Sequence, residues 1–190
     1  MGEIMKINKI YIIIFGLVVF AFLIFLFLIL KSNKPEEIIE LKNVTFTTSD
    51  NRVTITAKED FKKRDVSNYD LYLTKNDKQI VGLFTYNLNE YEEKNSKEIL
   101  DKQIEYFTST RKDFKLFKKE KIIDLDDKKI TKVEYSGTNT DSSDCVYIFA
   151  VIDFKSDPNY VVYSNEVILH KDYESNISEM IYILKNAKLN

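Results

Sequence analysis

The chain has 190 residues, 28 Lys plus Arg against 30 Asp plus Glu, and a formal net charge of -2. With 4 Gly, 2 Pro, one Cys, one His and no Trp, it lacks the clustered glycines of a phosphate-cradling loop. It also lacks the four Cys/His ligands of a finger-type zinc site, and its length fits one domain with an appendage.

Residues 1–9 form a short tail carrying Lys6 and Lys9. From Ile10 to Leu30 no residue is charged. A helix over that run spans about 31 Å at roughly 1.5 Å per residue, matching a hydrocarbon core of about 30 Å. An isolated span in lipid must satisfy its backbone internally, so residues 10–30 read as a transmembrane helix whose partner is the lipid bilayer. The run is too long for the apolar part of a cleaved signal. It exits through Leu28-Ile29-Leu30-Lys31-Ser32-Asn33 with no small-residue cleavage site, so it reads as a signal anchor. No Cys follows it for lipoprotein processing, and Lys6 stands where myristoylation needs Ser or Thr. Lys6 and Lys9 on one side nearly balance Lys31, Lys34 and Lys42 on the other, but long domains translocate largely regardless of charge. The expected topology places the N-terminus inside and the rest of the chain extracytoplasmic.

Residues 31–42, with Pro35, Glu36, Glu37 and Glu40, read as a charged stalk, and residues 43–190 as a folded domain. Strand patterns begin with Val44–Thr48 and Val53–Ala57 around the turn Ser49-Asp50-Asn51-Arg52. Asp70–Thr74 and Ile80–Tyr86 flank Lys75-Asn76-Asp77-Lys78-Gln79 as a hairpin. Asn95 is placed to cap a helix with Glu98 reaching back, and Leu100, Ile104 and Phe107 then share one face. Further strands are expected at Phe114–Lys121 and Lys129–Ser136. The strongest pair is Cys145–Phe154 and Tyr160–Leu169, around Lys155-Ser156-Asp157-Pro158-Asn159. A last helix over Glu174–Ala187 puts Ile177, Met180, Ile181 and Leu184 on one stripe and Glu179, Tyr182 and Lys185 opposite. Cys145–Phe154 is apolar on both faces, which marks a central strand covered above and below. Short hairpin links make the sheet mainly antiparallel with helices packed on its faces, an α+β fold.

The order of these elements over residues 44–189 resembles the PsbP-like fold. The residues that carry the resemblance are the early strand pair with Glu59-Asp60-Phe61, then Tyr69-Asp70-Leu71-Tyr72-Leu73 leading into Val81-Gly82-Leu83-Phe84-Thr85. A helix, the strand Ile130–Tyr135 running to Gly137, the aromatic hairpin to Glu166-Val167-Ile168-Leu169 and the closing segment Leu184–Leu189 complete it. That family includes a photosystem II oxygen-evolving-complex subunit, a Ran-binding nuclear import protein and many bacterial extracytoplasmic proteins. The resemblance implies the fold, and no site residue of the family carries over to a position here.

Few residues suggest chemistry. If Phe154 pairs with Tyr160, Cys145 faces Leu169 and Asp144 faces His170, bringing the one thiol and the one imidazole to the same end of the hairpin. A Cys145–His170 pair oriented by Asp144 or Asp172 is the candidate catalytic set. Against it, a free Cys commonly behaves as a small buried hydrophobe, and His170 opens a polar turn. Asp124, Asp126 and Asp127, and the run Asp141-Ser142-Ser143-Asp144, are candidate calcium ligands, although neither has EF-hand spacing and solvated acidic loops look the same. Lys118, Lys119 and Lys121, near Lys112 and Lys115, can meet anionic headgroups or wall polymers, or simply guard an exposed edge strand. The acidic balance argues against a nucleic-acid partner, and no cofactor is expected. The expectation is therefore a non-catalytic binding or accessory module anchored in a bacterial cell membrane, with an envelope-protein or cell-wall partner. The alternatives are a Cys–His hydrolase or transferase, and a scaffold subunit of a membrane complex.

Overall fold

The computed structural model describes residues 41–111 and 113–190, and Ile24 alone before them. The expected tail, membrane span and most of the stalk (residues 1–40) otherwise lie outside the described residues. Among the described residues, no helix is long and apolar enough to cross a membrane.

Among the described residues, ten strands make two antiparallel sheets. β1 (Asn43–Thr47), β2 (Val53–Lys58) and the C-terminal β10 (Lys188–Leu189) form a small sheet in the order β1-β2-β10. The larger sheet runs β3-β4-β5-β9-β8-β7-β6. It comprises β3 (Lys62–Lys63), β4 (Leu71–Lys75), β5 (Gln79–Asn87), β6 (Lys115–Asp124), β7 (Lys128–Thr138), β8 (Asp144–Phe154) and β9 (Tyr160–Leu169). Sequence patterning anticipated every strand longer than two residues. It did not separate the first pair into its own sheet, because a half-buried alternating strand looks the same whichever neighbour it bonds.

The β8–β9 pairing has the expected register, Cys145 opposite Leu169 and Asp153 opposite Val161. β8 lies inside the sheet between β7 and β9, and its two faces feed separate cores. Val146, Ile148, Ala150 and Ile152 join β2, β4, β5 and the C-terminal helix in one cluster. Tyr147, Phe149 and Val151 join Ile99 and Leu100 in the other. Each face thus loses its apolar side chains from water only because a different element covers it, at about 25 cal/mol per Å² removed.

Helix α1 (Ser96–Thr110) supplies the second cover. Asn95 accepts from the Glu98 N–H at 3.0 Å, and Glu98 in turn accepts from the Lys94 N–H at 2.8 Å. Ile99 and Leu100 are buried, and Ile104 and Phe107 pack beside them. The helix carries the chain from β5 in mid-sheet to β6 at the far edge, so it must cross the face that needs covering. On the other face, α2 (Tyr173–Lys185) follows a 3-10 turn at His170–Asp172 and buries Tyr173, Met180, Ile183 and Leu184. It stops at Lys185, short of the expected Ala187. The Asn186 N–H folds back to the Tyr182 and Ile183 carbonyls, Ala187 enters the core, and Lys188–Leu189 pair with β2 instead.

Two local features follow from backbone chemistry. Asn76 and Asp77 take left-handed φ values of 53° and 51° in the β4–β5 turn, which their short polar side chains tolerate best. Gly82, opposite Tyr72 and Asn165, lies under the Tyr69 ring, so that a Cβ there would sit 2.2 Å from Tyr69 Cε1. Tyr69 cannot swing away freely, since Tyr72 and Phe84 hold its ring at centroid distances of 5.0 and 4.4 Å. Gly82→Ala should therefore cost about 1–3 kcal/mol by overpacking. Thermal unfolding of the variant checks this, and an unchanged Tm would show that the ring is not held.

Candidate functional site

The end of the large sheet where β7 turns into β8 and β9 leaves for the 3-10 turn gathers most of the polar chemistry. β7 and β8 are joined by Asn139–Ser143, a tight loop in which the Asn139 N–H donates to the Ser143 carbonyl at 2.8 Å and Ser142 takes φ 68°. Asp144 and His170 meet as the register requires, His170 Nδ1 lying 3.0 Å from Asp144 Oδ2. His170 also packs edge-on to Phe117, at 5.2 Å between centroids.

Cys145 is next to Asp144 in the chain but belongs to the opposite face. It is buried in the cluster of Tyr147, Phe149 and α1, whereas Phe117, the neighbour of His170, packs against the first cluster. Burial pushes its thiol up to about 11, helped by the Asp141 and Asp144 carboxylates and opposed by Arg111. The strand alternation that aims Asp144 at His170 thus turns the thiol away. Asp172 caps nothing through its side chain and stands at the entry to α2.

Beneath the Cys145 face, α1 ends at Arg111, whose guanidinium lies 5.1 Å from the Phe107 ring centroid and 4.8 Å from that of Tyr147. Its Nη1 donates to the Tyr147 hydroxyl at 2.5 Å and to the Thr138 carbonyl at 3.3 Å. Tyr147 in turn donates its O–H to Asn139 Oδ1 at 3.3 Å. Burial pushes the phenol up to about 12, so Tyr147 stays neutral and can accept from Arg111 while donating to Asn139. The hollow over these groups is about 350 Å³ and is lined by Thr110, Arg111, Asp113, Thr138, Asn139 and Thr140. Sequence reading missed Arg111. The available signal was that it is one of only three arginines in the chain and sits where a helix pattern runs out.

A second polar group is enclosed within the first cluster's face. Lys132 and Glu134 of β7 form an ion pair, and Tyr173 donates to Glu134 Oε2 at 2.5 Å while accepting from Lys118 at 2.7 Å. Glu166 of β9 is fully buried, with only a 3.5 Å contact from Ser164 and no partner for Oε2. Burial, reinforced by the Glu134 charge, holds its carboxyl well above the usual range, despite Lys132 and Ser164. Lys132, Glu134 and Glu166 lie at strand positions that share parity with Ile130, Val162 and Ile168, which was the sequence signal for buried charge.

The acidic loops are differently occupied. Asp124 pairs with Lys155 at 2.8 Å, Asp127 pairs with Lys128, and Asp126 is exposed. Among the described residues, no group of three or more His, Cys, Asp or Glu side chains is placed to hold a metal ion. The basic run falls on β6, the edge of the large sheet, where Lys118 turns inward to Tyr173.

Comparison with known proteins bears on the fold. The same architecture occurs in cyanobacterial PsbP (CyanoP) from Synechocystis sp. PCC 6803, at 7% identity with a TM-score of 0.59 over 83% of this chain and 98% of that one. It also occurs in the Saccharomyces cerevisiae Ran-binding protein Mog1p, at 13% identity and TM-score 0.51 over 79% and 96% of the two chains. A mutant form of protein Mog1 gives 13% identity and TM-score 0.52 over 78% and 96%. No protein-family profile and no curated protein sequence matches the chain. The chain has a PsbP-like fold, as its order of elements suggested, and at these identities the likeness extends to the fold alone.

Two outcomes test the site chemistry on the full chain in detergent. A thiol-exchange reagent at neutral pH should label Cys145 about 100-fold or more slowly in the folded protein than after denaturation, because little thiolate is present and it is enclosed. Comparably fast labelling would restore the thiol as a nucleophile. For Glu166, the folded state holds a proton that the unfolded chain releases above the ordinary carboxylate pKa. Its contribution to stability is therefore present at low pH and is lost as pH rises from that value towards the raised one. Glu166→Gln should lose less stability between about pH 5 and about pH 8 than the parent, measured by thermal unfolding. Equal pH slopes in the two would mean that Glu166 is not protonated in the fold.

Proposed function

We propose that the chain is a single-pass membrane protein whose 43–190 domain works outside the cytoplasmic membrane as a non-catalytic binding or accessory module. The uncharged run Ile10–Leu30 supports the anchor, and a PsbP-like domain of this size supports a module that presents surface rather than a deep active site. The observation that carries the non-catalytic reading is the division of Cys145 from His170 by the sheet. The thiol is enclosed on one face, and the imidazole is spent on Asp144 and Phe117 at the other. At the same end of the sheet the Arg111 hollow is open to solvent, a set of fixed hydrogen-bonding groups suited to recognition. The partner in this reading is a component of the envelope, protein or wall polymer.

Protease treatment of intact cells, followed by detection of the C-terminal domain, tests the placement. Digestion in intact cells is the expected outcome. Protection until the cells are opened would put the domain in the cytoplasm and overturn the extracytoplasmic role.

A further inference from the structure

The three arginines of the chain are not used alike. Arg52 pairs with Asp157 at 2.8 Å and Arg64 with Asp77 at 3.7 Å, whereas Arg111 makes no ion pair among the described residues. Its charge is held by two aromatic faces, a phenol oxygen and a peptide carbonyl, all neutral. Both of its internal hydrogen bonds run through Nη1. Nε and Nη2 therefore have no acceptor among the described residues, and a guanidinium offers its donors in a planar fork that fits an oxyanion at two points. Stacking and the Tyr147–Asn139 chain fix the plane of that fork, so a ligand need not immobilise a free side chain.

The rest of the hollow narrows the ligand. Asp113 lies on its wall and accepts from Thr138 Oγ1 at 3.4 Å. A carboxylate lining the same hollow as the guanidinium disfavours a small, highly charged inorganic anion. It favours a molecule that brings neutral hydroxyl donors next to its acid. Thr138, Thr140 and Asn139 add hydroxyl and amide groups of the kind that meet a polyol. At about 350 Å³ the space admits one sugar-sized unit and falls within the usual range for small-ligand sites, about 300–1,000 Å³.

We propose that this hollow binds a hydroxylated organic acid, a sugar or polyol bearing a carboxylate or phosphate ester, with Arg111 on the acid and Asp113, Thr138 and Thr140 on the hydroxyls. The assignment rests on the binding-module reading and names that module's ligand class. It gives Arg111 the specificity-determining role and Asp113 the part of separating hydroxylated acids from simple ones.

Calorimetric titration of the full chain in detergent micelles tests it with four probes: glucuronate, glucose 6-phosphate, glucose and acetate. Saturable binding of glucuronate or glucose 6-phosphate is expected, about tenfold or more tighter than glucose, which lacks the acid, or acetate, which lacks the hydroxyls. The tighter of the two acids identifies the oxyanion as carboxylate or phosphate ester. Arg111→Met should weaken that acid about tenfold or more with the Tm kept, because its aliphatic chain can still cover Phe107 and Tyr147. Asp113→Asn should narrow the gap between glucuronate and acetate, and this surface variant reports even where Arg111→Met does not fold. The proposal is overturned by no saturable binding of either acid, by glucose or acetate binding as tightly as the acids, or by unchanged affinities in the variants. A failed titration removes the ligand and leaves the membrane topology untouched. Protection of the domain in intact cells removes the extracytoplasmic placement and leaves the titration standing.

Discussion

The β8–β9 pair is the constraint from which the rest of the domain follows. Its residues are buried on both faces and mostly apolar, so neither face can be left to water, and two independent covers are needed. The chain provides them by opposite routes. α1 is the crossover that carries the backbone from β5 to the far edge, and it buries Ile99 and Leu100 on the way. α2 follows β9 through the 3-10 turn and returns over the other face, where β2 and β10 close the remaining gap. A sheet polar on one side would have needed only one of these.

The first core is not purely apolar, and the exception helps to place its cover. Lys132 and Glu134 project from β7 toward α2, and Tyr173, the first residue of α2, bridges Glu134 to Lys118 on β6. Removing one partner of a buried ion pair is far more costly than replacing the whole group by hydrocarbon, so the cluster contributes little net stability while penalising a wrong seating of α2. Tyr173 acts as a locating pin: its hydroxyl is satisfied only when the helix begins where it does. Glu166, on the same side of the sheet, has no such bridge and is left to bind a proton.

The elements legible in the sequence were those governed by local rules. Alternation located the long strands, the Asn95 and Glu98 spacing located the start of α1, and a single assumed pair, Phe154 with Tyr160, brought Asp144 opposite His170. What was not legible depends on contacts between segments far apart in sequence. The C-terminal residues 188–189 become a strand because β2 has a free edge there, not because of any β pattern of their own. Arg111 becomes distinctive only once Phe107 and Tyr147, separated by most of the β6–β7 hairpin, are stacked beneath it. The Cys145–His170 idea used register correctly and neglected parity. Partners across a strand pair share a face, but successive residues along a strand do not.

That parity argument also explains why this end of the sheet divides into two unlike surfaces. Asp144 and the residues in phase with it belong to the side of α2, so the imidazole, its carboxylate and Phe117 meet there. Cys145 and Tyr147 belong to the side of α1, where the helix stops and the next residue, Arg111, lies over the Tyr147 ring. The thiol on that side is enclosed in the second cluster, yet the phenol two residues on still reaches the β7–β8 loop with its hydroxyl, at Asn139. The end of the helix that helps to cover this cluster leaves Arg111 at its rim, oriented by Phe107 and Tyr147. Cys145 is buried in the cluster that α1 covers, and the one unpaired arginine among the described residues is presented where α1 terminates.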